Sequence, residues 1–477
     1  MTLPAAPGVL GLCTDLYELR MAASYLRRGM TAPATFSLFA RRLPAQRGFL
    51  VVAGVEACLD ALEGYCFGAD ELAYLREVVG LPEGEVEALG GLRFGGDVLA
   101  VPEGRCIGAD TPLMQVTAPL PQAQLVETLV LNQVTFATAV ASKAARCRLA
   151  AGPAELVDFG ARRTHGLEAA TAVARACAAV GFAGTSYVEA ARRLGLRPVG
   201  TMAHSYVQAF PDQLAAFRAF GTDFPEHPVF LVDTYDTEEG VLDAIKVARE
   251  LGLAPERVGV RLDSGDLGDE ARRARRMLDY AGMGAATVMA SGGLDELAVA
   301  GLVAAGAPID CYGVGTKIGT SWDAPSLDSA YKLVAYDGRP VLKLSPGKAT
   351  HPAAQQAWRG GPGEADLLAL RAEPRPDDRQ PLLVPVMAAG HRLAGPEPVS
   401  AARTRFEDDL AWLPPEARRL RDPEHSSAVP SAALVGLAGQ LAREWRPGWD
   451  RGRAAASAGR GQAPATTPGG FDVVPRP

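Results

Sequence analysis

The apolar positions are most regular in the middle of the chain. Short apolar runs recur there at intervals of roughly 25–40 residues: ELVDFG from Glu155, RPVGTMAH from Arg197, PVFLVDTYD from Pro228, RVGVRLDSGD from Arg257, ATVMASGG from Ala286 and PIDCYGVGT from Pro308. Most are followed by a helical pattern. In Gly240 to Leu251, for example, Val241, Ile245 and Ala248 share one face, while Asp243, Lys246 and Glu250 lie on another. Strands alternating with helices at this spacing pair in parallel through βαβ units. Runs as continuous as VFLV fit a sheet covered on both faces. Six consecutive units favour an irregular β/α barrel over an open doubly wound sheet.

The flanks are less periodic. Thr14 to Arg28 reads as a helix opened by capping candidates Thr14 and Asp15, Ala34 to Ala40 alternates as a strand, and Gly54 to Leu62 is a second amphipathic helix. Val98 to Val101 and Leu113 to Val116 are short strands. Leu125 to Ala145 is apolar on nearly every side, which predicts a helix buried between layers. Beyond the repeats, SAYKLVAYDGRPVLKLS places two alternating runs around Asp337-Gly338, a primed-turn hairpin signal. That hairpin is expected to join the sheet of the N-terminal part. Trp358 to Pro381, rich in Gly, Pro and charge, reads as a loop, and Leu382 to Arg392 as a strand. The fold class is therefore α/β: an irregular β/α barrel (125–328) packed against a smaller mixed α/β domain (1–124), a C-terminal segment (329–448) that includes the hairpin, and a disordered tail (449–477).

Composition narrows the function classes. The 477 residues, 48% hydrophobic and 22% charged, describe a soluble globular chain of two or three domains. A net charge of −7 argues against nucleic acid as the main partner. It leaves room for a small phosphorylated ligand in a local basic pocket. Seven cysteines at wide spacings include no CxxC pair, so neither a disulfide framework nor a zinc knuckle is suggested. With no signal-peptide pattern at the N-terminus and no apolar run of bilayer length, the expected location is the cytoplasm, with no membrane partner.

A β/α barrel carries its active site at the C-terminal ends of its strands. The runs end in Asp158, Phe159, Gly160, Arg162, Arg163 and His165; in His204 and Ser205; in Asp233, Tyr235 and Asp236; in Arg261, Asp263, Ser264 and Asp266; in Ser291, Gly292 and Gly293; and in Gly313, Gly315, Thr316 and Lys317. One polar cluster at a strand end is usually a cap or a turn; six on one face converge on a site. Ser-Gly-Gly and Gly-x-Gly-Thr turns can expose backbone N–H groups to a phosphate. The carboxylates of DTYD and LDSGD suit Mg²⁺ or sugar hydroxyls, and the arginines suit phosphate or carboxylate. The inferred ligand is anionic, phosphorylated and metal-bound. His204, one of six histidines, directly follows an apolar run and can act as proton carrier or nucleophile; His165, on a longer loop, ranks below it.

Together, TDLYELRMA at Thr14, DFGARRTHG, GTS at Gly184, GTMAHSYVQAF, LVDTYDT, GVRLDSGDL, ASGGLDE, GVGTKIG and KLSPGKATHP resemble the nicotinate phosphoribosyltransferase family. The resemblance implies the type II phosphoribosyltransferase fold and a homodimer whose sites are completed across the interface. It implies a reaction joining nicotinate to 5-phosphoribosyl 1-pyrophosphate (PRPP), giving nicotinate mononucleotide and pyrophosphate. ATP hydrolysis is coupled to it, with Mg²⁺, through a phosphohistidine at the position of His204. By the same matching, Tyr17 from a partner subunit and Phe159 sandwich the pyridine ring. Thr201 and Arg261 contact nicotinate, and Arg162 or Arg163 anchors a phosphate or carboxylate. Asp233 and Asp263 contact ribose or metal, and Ser291, Gly292, Gly293, Gly315 and Thr316 hold the 5′-phosphate.

The nearest rival is a nicotinamide phosphoribosyltransferase, whose pattern has an Asp after Gly-Thr where this chain has Ser186. A carboxylate there would repel nicotinate; a hydroxyl does not. Quinolinate phosphoribosyltransferase is a shorter relative. From other classes, a Mg²⁺-dependent lyase or Schiff-base aldolase would not need His204 phosphorylated, the aldolase wanting a strand-end lysine such as Lys317, and a non-catalytic nucleotide sensor would show no turnover.

Overall fold

A computed structural model describes residues 9–345 and 350–444; the tail expected over 449–477 lies outside the described residues. The fold is mixed α/β. Six parallel strands carry the strand ends of interest: β1 (Glu155–Asp158), β2 (Gly184–Thr185), β3 (Val229–Leu231), β4 (Gly259–Leu262), β5 (Thr287–Ala290) and β6 (Cys311–Val314). Their spatial order is β2-β1-β6-β5-β4-β3. That is chain order wrapped round on itself, since the last strand lies beside the first, with one neighbour contact missing between β2 and β3.

The missing contact falls where RPVGTMAH was expected to be a strand. Only an isolated parallel bridge, Thr185 to Pro198, forms there. Pro198 has no N–H to donate, and Gly200 contributes no side chain to a ladder. The segment therefore crosses the strand ends as extended chain, and His204 opens a short helix, His204–Gln208. Conversely Gly184–Thr185, too short to stand out as an apolar run, is a strand.

The second layer is a seven-stranded antiparallel sheet in the order 339–340, 329–336, 33–40, 112–119, 97–100, 384–388, 391–392. Ser329–Tyr336 pairs with Pro33–Ala40, and across it the rings of Phe36 and Tyr331 stack at 4.8 Å. Asp337 and Gly338 both have positive φ, +51° and +71°, the primed turn that matches strand twist. The return strand is only Arg339–Pro340, because Pro340 cannot donate to the ladder. The stretch read as a loop, Trp358 to Pro381, instead holds Leu367–Leu370 and Gln380–Pro381, which pair with Gln355–Arg359 in a four-stranded sheet. Its Gly and Pro residues other than Pro381 occupy the connections, and they mask the short apolar LLAL run.

Helix Glu127–Ala151 lies between the layers. Leu129, Val130, Val134 and Ala139 belong to the core beneath the antiparallel sheet, whereas Ala137, Val140, Ala141, Ala144 and Cys147 belong to the core around the parallel strands. A helix buried on both sides needs apolar residues all round, and small ones where it meets its neighbours. None of the seven cysteines, all among the described residues, forms a disulfide. Among the described residues no helix is long and apolar enough to cross a membrane.

Candidate active site

Arg261, on β4, is the centre of the strand-end cluster. It is 8% exposed. Its Nε donates to Ser291 Oγ (2.7 Å), Nη1 to Thr201 Oγ1 (3.0 Å) and the Met202 carbonyl (3.3 Å), and Nη2 to Asp263 Oδ1 (2.7 Å). Its guanidinium carbon lies 5.5 Å from the centroid of the Phe159 ring, within cation–π range. One guanidinium thus ties together the ends of β1, β4 and β5 and the crossing segment. A guanidinium has five N–H groups, and these four acceptors leave it capacity to meet an incoming anion.

Asp263 receives Ser291 Oγ at 2.5 Å in addition to Arg261. Burial pushes its carboxyl up, but Ser291, Arg261 and His204 outweigh that and hold it below the usual carboxylate range. Asp263 N–H and Ser264 Oγ both donate to Asp233 Oδ2, at 2.8 and 2.6 Å. The other oxygen, Asp233 Oδ1, is buried with no partner. A buried acceptor without a donor costs free energy, so this atom points to an occupant carrying a hydroxyl or a cation.

His204 has Nδ1 3.1 Å from Thr234 Oγ1 and Nε2 3.9 Å from Asp263 Oδ2. The side chain is 40% exposed. In the tautomer whose Nδ1–H donates to Thr234, Nε2 carries the lone pair of a nucleophile and lies toward Asp263. Thr234 did not stand out in the sequence. Its only signal was its place between Asp233 and Tyr235 directly after an apolar run.

The carboxylates of DTYD and LDSGD divide by role. Asp236 caps helix Thr237–Glu250 through Glu239 N–H, and Asp266 caps Leu267–Tyr280 through Gly268 and Asp269 N–H. They serve the helices, while Asp233 and Asp263 face the site. Among the described residues no group of three or more His, Cys, Asp or Glu could hold a metal ion. The oxygens that fit a cation are Asp233 Oδ1, which is buried without a hydrogen-bond partner, and Asp263 Oδ2, which lies 3.9 Å from His204 Nε2, too few for a protein cage. They suit Mg²⁺, which usually takes one or two carboxylates and completes its shell with substrate phosphates and water.

Both Gly-rich turns are shaped by close packing. Gly292 has φ +94°, and a Cβ there would lie 2.2 Å from the Asp263 carbonyl oxygen. Gly313 faces the Phe159 ring, which a Cβ would approach to 2.7 Å, and Gly315 faces the Phe159 carbonyl oxygen at 2.8 Å. The Gly-x-Gly therefore seats Phe159, a use its spacing did not reveal. Asp158, behind Phe159, is buried and accepts from Gly160 N–H and Thr185 Oγ1, each at 2.7 Å. Burial pushes its carboxyl up against those two bonds.

Several candidates stand apart. Arg162 and Arg163 are exposed on a single turn, Ala161–Arg163, with no side-chain hydrogen bond or ion pair among the described residues, and His165 is likewise exposed. Ser186 is half-buried and donates its N–H to the Asp158 carbonyl (2.8 Å). Lys317 is engaged with Asp295 at 2.7 Å. Tyr17 is 47% exposed on helix Leu16–Arg27, with no ring contact to Phe159. Burial, then Glu127 and Glu18, raise its hydroxyl pKa.

The nicotinate phosphoribosyltransferase N-terminal domain model matches residues 12–135, and the nicotinate phosphoribosyltransferase family model matches residues 154–281. Nicotinate phosphoribosyltransferase pncB2 of Mycobacterium tuberculosis is 44% identical over 91% of this chain and 93% of its own. The nicotinate phosphoribosyltransferase of Bacillus subtilis is 42% identical over 78% of each. The crystal structure of human nicotinic acid phosphoribosyltransferase superposes with a TM-score of 0.80 at 29% identity, covering 90% of this chain and 99% of that one.

Proposed function

The chain belongs to the nicotinate phosphoribosyltransferase family, enzymes of pyridine-nucleotide biosynthesis, and from that premise we propose that it joins nicotinate to PRPP at the strand ends gathered around Arg261. The observation that carries this placement is the Arg261 node. One buried cation organises Phe159, Thr201, Ser291 and Asp263 and keeps donor capacity for an anion. The strand order supports treating the six parallel strands as an irregular barrel opened between β2 and β3, with the crossing segment and His204 at the opening.

In this reading the nicotinate ring lies on Phe159, with its carboxylate toward Arg261 and Thr201. Exposed Tyr17 of a second copy covers the other face, in a homodimer. The pyridine nitrogen carries a free lone pair, so its attack on ribose C1 needs no general base. The barrier lies in the positive charge that develops on the ribose ring as its bond to pyrophosphate breaks. Positioning and charge neutralisation lower it. Asp233 and Asp263 would take ribose hydroxyls or Mg²⁺, the turns at 291–293 and 315–316 would take the 5′-phosphate, and Arg162 or Arg163 a further anionic group. When bound, Mg²⁺ would neutralise pyrophosphate charge.

His204 Nε2 would attack the γ-phosphorus of ATP, forming the N–P bond as the bond to the β,γ-bridging oxygen breaks and ADP leaves. Hydrolysis would return the imidazole. Thr234, 3.1 Å from Nδ1, would accept from Nδ1–H and so hold the tautomer this step needs. His204→Ala is expected to retain slow PRPP-dependent product formation and to lose all stimulation by ATP. Full ATP-stimulated turnover in that variant would remove His204 from the mechanism. Assays with nicotinate and nicotinamide side by side test the substrate: the hydroxyl of Ser186 in place of a carboxylate supports the acid, and preferential turnover of the amide would overturn that choice.

A further inference from the structure

The turns that follow β5 and β6 are cross-linked twice, by two different lysines. Strands β5 and β6 are neighbours, with Met289 beside Cys311, so their turns leave the sheet side by side. Below them, Lys143 of helix Glu127–Ala151 lies 2.6 Å from Glu296 Oε2 and 3.0 Å from Asp323 Oδ1, and is 3% exposed. Glu296 begins the helix after the first turn, and Asp323 ends the segment after the second. Arg146 Nε on Glu296 (2.9 Å) and Arg47 Nε on Asp323 (2.9 Å) complete this buried clamp.

Closer to the strand ends a second bridge spans the same two turns. Asp295 uses Oδ1 to cap helix Glu296–Ala304, accepting from Leu297 and Ala298 N–H at 3.1 and 2.9 Å. Its Oδ2 accepts from Lys317 Nζ at 2.7 Å. Lys317 directly follows Thr316, and Asp295 lies two residues after Gly293. The Lys317 side chain is one-third exposed and has no second partner among the described residues. One oxygen of Asp295 therefore fixes the helix and the other fixes the opposite turn.

We propose that Lys317 is a positioning residue for the 5′-phosphate subsite, acting through Asp295 to set the spacing between the turns at 291–293 and 315–316. The inference rests on the assignment of the PRPP phosphate to those turns. Buried groups fix the roots of the turns, and the Lys317–Asp295 bridge fixes their outer ends, where an anion enters. The pair is part-buried, its side chains 33% and 17% exposed, so its removal is expected to cost the fold less than loss of the clamp below it and to act on the subsite.

The test is steady-state kinetics and thermal unfolding of Lys317→Met, Lys317→Arg, Asp295→Asn and the double variant Asp295→Asn/Lys317→Met. Asn keeps the capping oxygen and loses the charge. Lys317→Met and Asp295→Asn are each expected to raise the KM for PRPP by about tenfold, an effect of small misplacement. Both should leave kcat and the KM for nicotinate within about twofold, and Lys317→Arg should recover most of the loss. The double variant should be no worse than either single, since both cut one bridge. A PRPP KM unchanged by Asp295→Asn, or a double variant showing the product of the two losses, overturns the proposal in favour of direct contact by Lys317. A loss of Tm and kcat with no change in PRPP KM overturns it in favour of a purely structural bridge. Thr316→Val separates the inference from its premise. If it raises the PRPP KM and the bridge variants do not, the bridge fails and the subsite stands. If none of them moves that KM, both fall.

Discussion

Asp323→Asn removes the outer, part-buried carboxylate of a cluster in which Arg47, Lys143 and Arg146 meet Glu296 and Asp323. Burial alone would raise the Asp323 carboxyl, but Arg47 and Lys143 pull it down from 3.8 to about 2. At about 1.4 kcal/mol per decade of binding constant, that displacement corresponds to roughly 2 kcal/mol of folding stability. Breaking a buried pair from one side costs about 3–5 kcal/mol because a charge is left unpaired. Here Asn keeps a carbonyl oxygen for Arg47, whose side chain is fully buried, so the expected loss is about 2–3 kcal/mol at pH 7. The pH dependence follows from the sign. A carboxyl depressed in the folded state contributes stability that is complete above the unfolded value and is lost as pH falls through the folded one. The contribution is whole above about pH 5 and about half gone near pH 3. Urea unfolding of wild type and variant at pH 7, 5, 4 and 3 should give a gap constant to pH 5 that then narrows. A gap below about 0.5 kcal/mol at pH 7, or one that does not narrow toward pH 3, would falsify the claim that ionised Asp323 holds this cluster together.

Arg261→Lys keeps a charge but loses the fork that reaches Ser291, Thr201 and Asp263 together. The kcat/KM for nicotinate should fall by about 10²–10³ with a smaller change in the KM for PRPP, and a variant within twofold of wild type removes Arg261 from the centre of the site. Ser186→Asp places a carboxylate on the turn after β2, beside the proposed nicotinate position. The KM for nicotinate should rise by about tenfold or more while nicotinamide is unaffected or improved; equal effects on the two would show that Ser186 does not face the substrate carboxylate.

The βα repeat was legible because strands buried on both faces are written as continuous apolar runs, and five of the six runs form strands. RPVGTMAH misled because apolar content says where a segment is buried, not whether its backbone finds a partner. Pro198 removed a donor, and the segment became the arm that brings Thr201 and Met202 to Arg261 and His204 to Asp263. The polar residues at the strand ends were readable as a set, but their pairings were not. His204 on Thr234, and Asp158 on Thr185, are contacts 30 and 27 residues apart. No local pattern encodes them. The ion cluster beneath the turns was invisible for the same reason. Lys143, Glu296 and Asp323 come from three separate stretches; Lys143 stands in a run read as buried, but nothing in the sequence pairs it with the other two.

The two carboxylate pairs show how one repeat supplies both scaffold and chemistry. Asp233 and Asp236 follow β3; Asp263 and Asp266 follow β4. In each pair the first residue lies in the turn as the chain leaves the strand, and the residue three later reaches the N-cap of the next helix. Composition cannot separate them, since all four are Asp, but backbone geometry can. The chain must turn between strand and helix within those three residues, so the first side chain stays over the sheet and the second turns back onto its own helix N–H groups. After β5 the same division appears with a longer turn: Ser291 stays over the sheet with Arg261, and Asp295 caps the helix. A cap also needs only one of its two oxygens. Asp236 and Asp266 leave the second oxygen free of any bond to a neighbouring unit, whereas Asp295 commits it to Lys317 on the next strand's turn. The extra residue between Ser291 and Asp295 thus accompanies a change in the cap's reach, from its own helix to the adjacent turn. That places the only such cap-to-turn link of these three units between the two turns assigned to the phosphate.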